Sequence, residues 1–288
     1  MSVEITESKT PPTPPQRVRS DAPFLAGLCL LGGVYVVLIV AMVLADAAFT
    51  SPRHLWQALG SPEIRYAIKL SLISCSLAAL LSLWVAVPLG YLMSRHKFPG
   101  KGLLDAVLDI PIVLPPLVIG LSLLILFQIR IGGGTLDDFF KNRLGVPVTY
   151  AIPSVILAQF AVAAAFAVRT MRVTFEQINP RNEQVALTLG CTRSQAFWLV
   201  ALPEARRGIL TAATLAWARS LGEFGPILIF SGATRMKTEV LSTTVFLELS
   251  VGHIEAAVAV SLLMIAAAVA VLLVVRFFGA ETAFGKAV

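Results

Sequence analysis

Residues 184–203 read QVALTLGCTRSQAFWLVALP and lie between two long apolar runs. The stretch carries its own punctuation. Asn179-Pro180 just before it is an N-cap followed by proline at the first helical position, and Gly190 stands where a C′ glycine ends a helix. Thr192 and Gln195 have the spacing of a capping box that opens a second helix. Pro203 restarts the chain toward the next apolar run. The expectation is helix, tight turn, helix, with Val185, Ala186, Leu189, Phe197, Trp198 and Val200 as its apolar residues.

Outward from this loop the chain is a membrane protein by composition. Of its 288 residues, 57% are hydrophobic and 14% charged, against about 25% charged in soluble domains. The apolar runs predict six spans, at 24–45, 66–93, 103–129, 150–168, 208–230 and 254–275. Each is close to the ~20 residues that cross a hydrocarbon core as a helix. Period-2 alternation is absent, which leaves an all-α integral membrane bundle rather than a barrel. Ala45-Asp46-Ala47 has the look of a signal cleavage site. The run before it, 22 residues from Phe24 to Ala45, exceeds the ~7–15 of a signal sequence, so it reads as a retained span. Residues 1–23 contain TPPTPPQ and little to bury, which predicts a disordered tail. Residues 279–288 form a short tail at the other end.

Lys and Arg set the orientation. With the N-terminus inside, fourteen fall on the cytoplasmic side and eight outside, and Arg219 sits within a span. Both termini and the loop 169–207 are then cytoplasmic in a cell or inner membrane. The net charge of +6 is accounted for by these orientation signals rather than by nucleic-acid binding. Cys29, Cys75 and Cys191 show neither a disulfide framework nor metal spacing. His54, His96 and His253 lie apart and read as loop residues. No catalytic constellation and no metal motif is present in the sequence.

Three readings of the loop compete: an amphipathic segment on lipid phosphates, a DNA-binding helix-turn-helix, and a docking knob for a cytosolic partner. Tethering to spans at both ends disfavours DNA. Gln184-Val185-Ala186, then Gly190, nine residues, then Val200-x-Leu202-Pro203 resembles the EAA signature of ABC importer permeases. Glycine and Leu-Pro fall at the family spacing; the signature glutamate is Gln184 here, with Glu183 one place early. The resemblance covers roughly residues 60–280. It implies that Gln184, Val185, Ala186, Leu189, Gly190, Val200, Leu202 and Pro203 form a cytoplasmic coupling helix between spans 4 and 5. The implied partners are cytoplasmic ABC ATPase subunits, a second permease subunit and an extracytoplasmic oxyanion-binding protein. No GxxxxGK[ST] occurs, and Pro99-Gly100-Lys101-Gly102 lacks its spacing, so ATP is expected on the partner and no cofactor on this chain.

Two stretches bear on the cargo. LDIPIVLPPLVIG (108–120) puts Pro111, Pro115 and Pro116 in the third span, where prolines kink a helix and free its carbonyls. ARSLGEFGPILIFSGA (218–233) puts Arg219 and Glu223 four apart in the fifth, among the breakers Gly222, Gly225 and Pro226. Arg219 lies eleven residues past Gly208, about 17 Å up the helix, where a charge needs a partner or water. The two form an internal ion pair, or frame the translocation path with Pro115 and Pro116. ARSLGEFG is similar to the fifth-span motif of molybdate, tungstate and sulfate permeases, and LPPLVIG to the molybdate branch. TEVLSTTVFLELSVG (238–252) and the six spans lean toward the sulfate branch. The resemblance places molybdate or tungstate first and sulfate second. Secondary transporters offer a competing class, but no internal repeat supports it. Asp105 and Asp109 share a face near the start of the third span, where the helix dipole favours carboxylates.

Overall fold

The structure is a computed structural model that describes residues 22–131 and 133–284. The expected tail 1–23, with Lys9, Arg17 and Arg19, falls almost wholly outside the described residues, as does Lys286. The chain divides into two units, one ending at Asp46 and one starting at Ala47. The described part of the first is α1, Ala22–Phe49, whose last three residues pass into the second. At 28 residues it is about 42 Å long.

The second unit opens with the short helix α2 (Pro52–Gly60), which carries His54, and then α3 (Pro62–Arg95). Next come α4 (Lys101–Val113) and α5 (Pro116–Gln128). A two-residue hairpin, β1 (Arg130–Ile131) and β2 (Gly134–Thr135), pairs Arg130 with Thr135 and leads to α6 (Leu136–Leu144). Thr135 and Asp138 form the capping box of α6. Helix α7 (Ile152–Gln177) is followed by α8 (Pro180–Thr188) and α9 (Arg193–Ala196), a π-helical turn Phe197–Ala201, α10 (Leu202–Glu204) and α11 (Arg206–Leu221). Helices α12 (Gly225–Phe230), α13 (Leu241–Val251) and α14 (Ile254–Phe284) complete the described residues.

Four helical segments among the described residues are long and apolar enough to cross a membrane: Phe24–Phe49, Pro62–Arg95, Ile152–Gln177 and Ile254–Leu273. The expected third and fifth spans are not continuous. The third is bent by 112° between α4 and α5, because the Leu114-Pro115-Pro116 junction cannot sustain helical hydrogen bonding. Counted as one, that pair gives a fifth crossing. The run 208–230 breaks at 222–224, between α11 and α12, where glycine and Pro226 remove side-chain support and a donor. The fourth helix continues to Gln177 rather than stopping at Val168, so Arg169 and Arg172 are helical rather than in a loop. Residues 279–284, expected as tail, extend α14.

Small residues let α3, α7 and α11 approach closely. Ala79, Ala86, Ala163, Ala167, Ala212 and Ala216 are buried in one cluster with Met171 and Phe175. At Gly90 any Cβ would lie 2.7 Å from the Cβ of Met171, so only glycine fits where α3 crosses α7. Such small-residue interfaces replace the hydrophobic drive that lipid cannot supply. A second cluster joins α5, α7 and α12, with Phe127 and Phe230 rings 5.4 Å apart.

Candidate functional site

The loop 178–205 takes the punctuated form that its residues predict. Asn179 caps α8 by accepting from the Arg181 amide at 3.0 Å, with Pro180 at the first helical position, where its missing N–H costs nothing. The helix ends in a Schellman turn: Cys191 N–H donates to Ala186 O and Gly190 N–H to Leu187 O, both at 3.1 Å. Gly190 has φ +93°, a conformation that a side chain resists. Thr192 and Gln195 then exchange the two bonds of a capping box, at 2.8 and 3.3 Å. Pro203 cannot donate to the preceding turn, and Leu202 N–H instead reaches back five residues to Phe197 O, giving the π turn.

The turn separates an inward and an outward set of side chains. Ala186 and Ala201 are buried, and Phe197 packs on Tyr91, ring centroids 4.7 Å apart. Gln184, Val185, Leu189 and Pro203 are exposed, Leu189 by 81%; Val200 and Leu202 are half-buried. Trp198 and Leu199 are also exposed large apolar groups. Leu199 and Leu187 join the outward surface although the sequence reading did not include them.

Glu183, set one place off the family signature, faces inward and is buried. Its carboxylate accepts from Arg95 Nε at 2.8 Å and from the Tyr91 hydroxyl at 2.7 Å. Arg95 also donates through Nη2 to Ile178 O at 3.0 Å. Both charged side chains are only 10% exposed. One arginine thereby ties the end of α3 to the end of α7 and the first turns of α8. Sequence reasoning missed Tyr91 and Arg95, since nothing in spacing links residues about ninety positions apart.

The two breaks in the expected spans meet. At Gly225 a Cβ would lie 3.1 Å from the Cβ of Pro116, and at Gly120 one would lie 2.8 Å from the Cα of Pro226. The backbone of α12 therefore packs directly on the start of α5. Two residues before Gly225, Glu223 is 1% exposed and paired with Arg219, as their spacing predicts. Arg219 is 29% exposed, and its guanidinium lies 5.5 Å from the centroid of the Phe166 ring. The backbone at the break is not left open: Glu223 O accepts from Ser242 Oγ at 2.6 Å. Of the residues read as framing a path, Pro116, Arg219 and Glu223 thus gather at the two breaks, with Pro115 capping α5 and exposed.

Asp105 and Asp109 do not serve the dipole of α4, because neither lies in its first turn. Asp105 pairs with Arg172, and Asp109 lies 3.8 Å from Arg169, both arginines on α7. His253 is not a bare loop residue: its Nδ1 lies 3.1 Å from Glu248, which also pairs with Arg235 at 2.8 Å. That carboxylate raises the Arg235 guanidinium above its ordinary value, and burial raises Glu239 beside it. Among the described residues, no three His, Cys, Asp or Glu side chains converge as a metal site would require.

Residues 86–281 match the family described as the binding-protein-dependent transport system inner membrane component. The chain is 30% identical over 261 residues to the sulfate transport system permease protein CysT of Escherichia coli K12, covering 91% of each. It is 34% identical over 196 residues to the molybdate/tungstate permease WtpB of Pyrococcus abyssi, covering 68% of this chain and 72% of the relative. To the E. coli K12 molybdenum permease ModB the identity is 38% over 172 residues, covering 60% and 73%. A bacterial alginate ABC transporter, solved with an alginate-bound periplasmic protein, shares the fold with TM-score 0.71 at 18% identity, covering 91% of this chain and 95% of that one. A family match over two thirds of the sequence, on a bundle of apolar helices, means that the chain belongs to the inner membrane components of binding-protein-dependent transport systems, as an ABC importer permease of the sulfate and molybdate type.

Proposed function

We propose that this permease forms the translocation path for a tetrahedral divalent oxyanion and is driven through the loop 178–205 by a separate ATPase. The observation that carries the coupling role is the construction of the loop. An exposed apolar surface, Val185, Leu189 and Trp198, sits on a Schellman turn whose base is tied to two spans by Glu183 and Arg95. A lipid anchor needs basic residues and an apolar face but no such rigid base. In this reading the six-span count holds, with spans 3 and 5 each broken within the membrane, and both termini face the cytoplasm. ATP is bound by cytoplasmic ATPase subunits. A second permease subunit, surrounding lipid and an extracytoplasmic binding protein that delivers the anion complete the assembly; nucleic acid has no part in it.

Molybdate or tungstate is the proposed cargo, supported by the LPPLVIG stretch and by the higher identity to the molybdenum permease. A sulfate cargo is favoured by the relative that aligns over 91% of the chain. Proteoliposomes holding the permease, its ATPase and its binding protein separate the two. ATP-dependent molybdate uptake that tungstate blocks and excess sulfate does not is the expected result; sulfate uptake with no molybdate uptake reverses the assignment. An ATPase that fails to co-purify with the permease would overturn the coupling role.

A further inference from the structure

A groove of about 620 Å³ runs between α7 and α11. Phe166, Arg169 and Thr174 line it from α7, and Arg207 and Thr211 from α11. Phe166 belongs to two places at once, since it lines the groove and carries the Arg219 guanidinium over its ring. Arg207 and Arg219 are twelve residues apart on one helix, about 18 Å along the axis. Arg169 lies one turn from Phe166 on the same face of α7. Arg169 and Arg207 thus line the groove itself, and Arg219, paired with Glu223 at the break, adjoins it through Phe166.

We propose that this groove is an oxyanion site on the transit path, where a tetrahedral dianion leaves Arg219 and is received by Arg169 and Arg207. The proposal rests on the reading of the chain as an oxyanion permease and names where that anion is held. The groove's chemistry suits passage rather than storage. The hydroxyls of Thr170, Thr174 and Thr211 donate to carbonyls one turn back, at 2.9, 2.8 and 3.0 Å. Their protons are thus spent inside the helices, which leaves guanidinium groups as the charged donors. Carboxylates stand behind them: Glu223 on Arg219, Asp109 at 3.8 Å from Arg169, and Glu204, which lines the rim and accepts from Asn182. Arg219 and Arg169 are thus partly neutralised and bind an anion weakly enough to release it, the condition for conduction.

The test uses the reconstituted permease with its ATPase and binding protein. Arg219→Gln alone strands the buried Glu223, so the neutral pair Arg219→Gln/Glu223→Gln is compared with Arg169→Gln, whose side chain is 63% exposed. With ATPase association unchanged, maximal uptake should fall about tenfold in each, the worth of one charge-assisted hydrogen bond at the barrier. The concentration of loaded binding protein at half-maximal rate should not move. In inside-out vesicles, Thr211→Cys on a chain whose other cysteines are serine should be labelled by a maleimide and protected by tungstate. Full uptake by the neutral pair and by Arg169→Gln overturns the proposal. So does labelling that responds to replacing phosphatidylcholine with phosphatidylglycerol but not to tungstate, which would make a lipid phosphate the occupant. A wild-type assembly that imports no molybdate, tungstate or sulfate would instead remove the functional reading beneath it.

Discussion

Gly190 offers a test of the role proposed for the loop 178–205, in which backbone conformation and side-chain volume separate. Its φ is +93°, and a Cβ added there would meet nothing within 4 Å. A substitution therefore acts through the left-handed backbone, which costs an L-residue about 1–2 kcal/mol. If the turn opens, the two Schellman bonds from Gly190 and Cys191 are lost as well, at about 0.5–1.5 kcal/mol each. Those bonds hold the turn closed in wild type and variant alike, so Gly190→Val shifts the balance toward an opened turn by the backbone strain, roughly 5-fold to 30-fold. Asparagine tolerates this backbone region better than alanine or valine. Uptake and ATPase co-purification should therefore follow the order Gly, Asn, Ala, Val, although Asn is larger than Ala. The membrane helices are untouched, so the amount of inserted protein should stay level. An order that follows side-chain volume would refute the backbone argument. Uptake that survives Gly190→Val but not Arg193→Ala would make the loop a lipid anchor.

Further perturbations address other parts of the molecule. Glu223→Gln leaves the Arg219 charge without its buried partner; removing one member of such a pair costs about 3–5 kcal/mol, so folded protein should decline, and normal abundance would show that the pair is not structural. Glu183→Gln weakens the tie to Arg95 and Tyr91 by about 1–3 kcal/mol; limited proteolysis should cut the loop 178–205 faster, whereas an unchanged pattern would deny the tie its role. At Gly208 a Cβ would lie 2.1 Å from Thr174 Cγ2 and 2.6 Å from Thr174 Cβ, so Gly208→Ala should lower thermal stability by about 1–3 kcal/mol, and adding Thr174→Ala, which keeps the Cβ, should restore only part of it. Reporter fusions after Leu44 and Arg143 should read external, and those after Lys101 and Arg193 cytosolic. A cytosolic reading at Arg143 would turn the bent α4–α5 pair into a re-entrant loop rather than a crossing.

Local signals in this chain were legible because their physics is local. The caps at Asn179 and Thr192, the left-handed Gly190 and the Arg219–Glu223 spacing each depend on residues within a turn or two, and each stands as its residues predict. Long apolar runs marked helices for the same reason: hydrocarbon requires every backbone group to be satisfied within its own segment. Proline announced that the third expected span would bend, but not by 112°, since the angle depends on what packs against the break. The pairing of the two breaks was invisible, because Pro116 and Gly225 meet across more than a hundred residues by close packing that no spacing announces. So was the role of Glu183. A sequence motif assigned importance to the neighbouring Gln184, while burial against Tyr91 and Arg95 makes Glu183 the anchored carboxylate. Asp105 and Asp109 likewise answer to arginines of another helix rather than to their own helix dipole. Composition and periodicity determine which segments leave water, but not where each helix ends or breaks. Which buried charge finds which partner is decided only when the helices are packed, because an ion pair in a low-dielectric bundle is set by distance in space and not by separation along the chain.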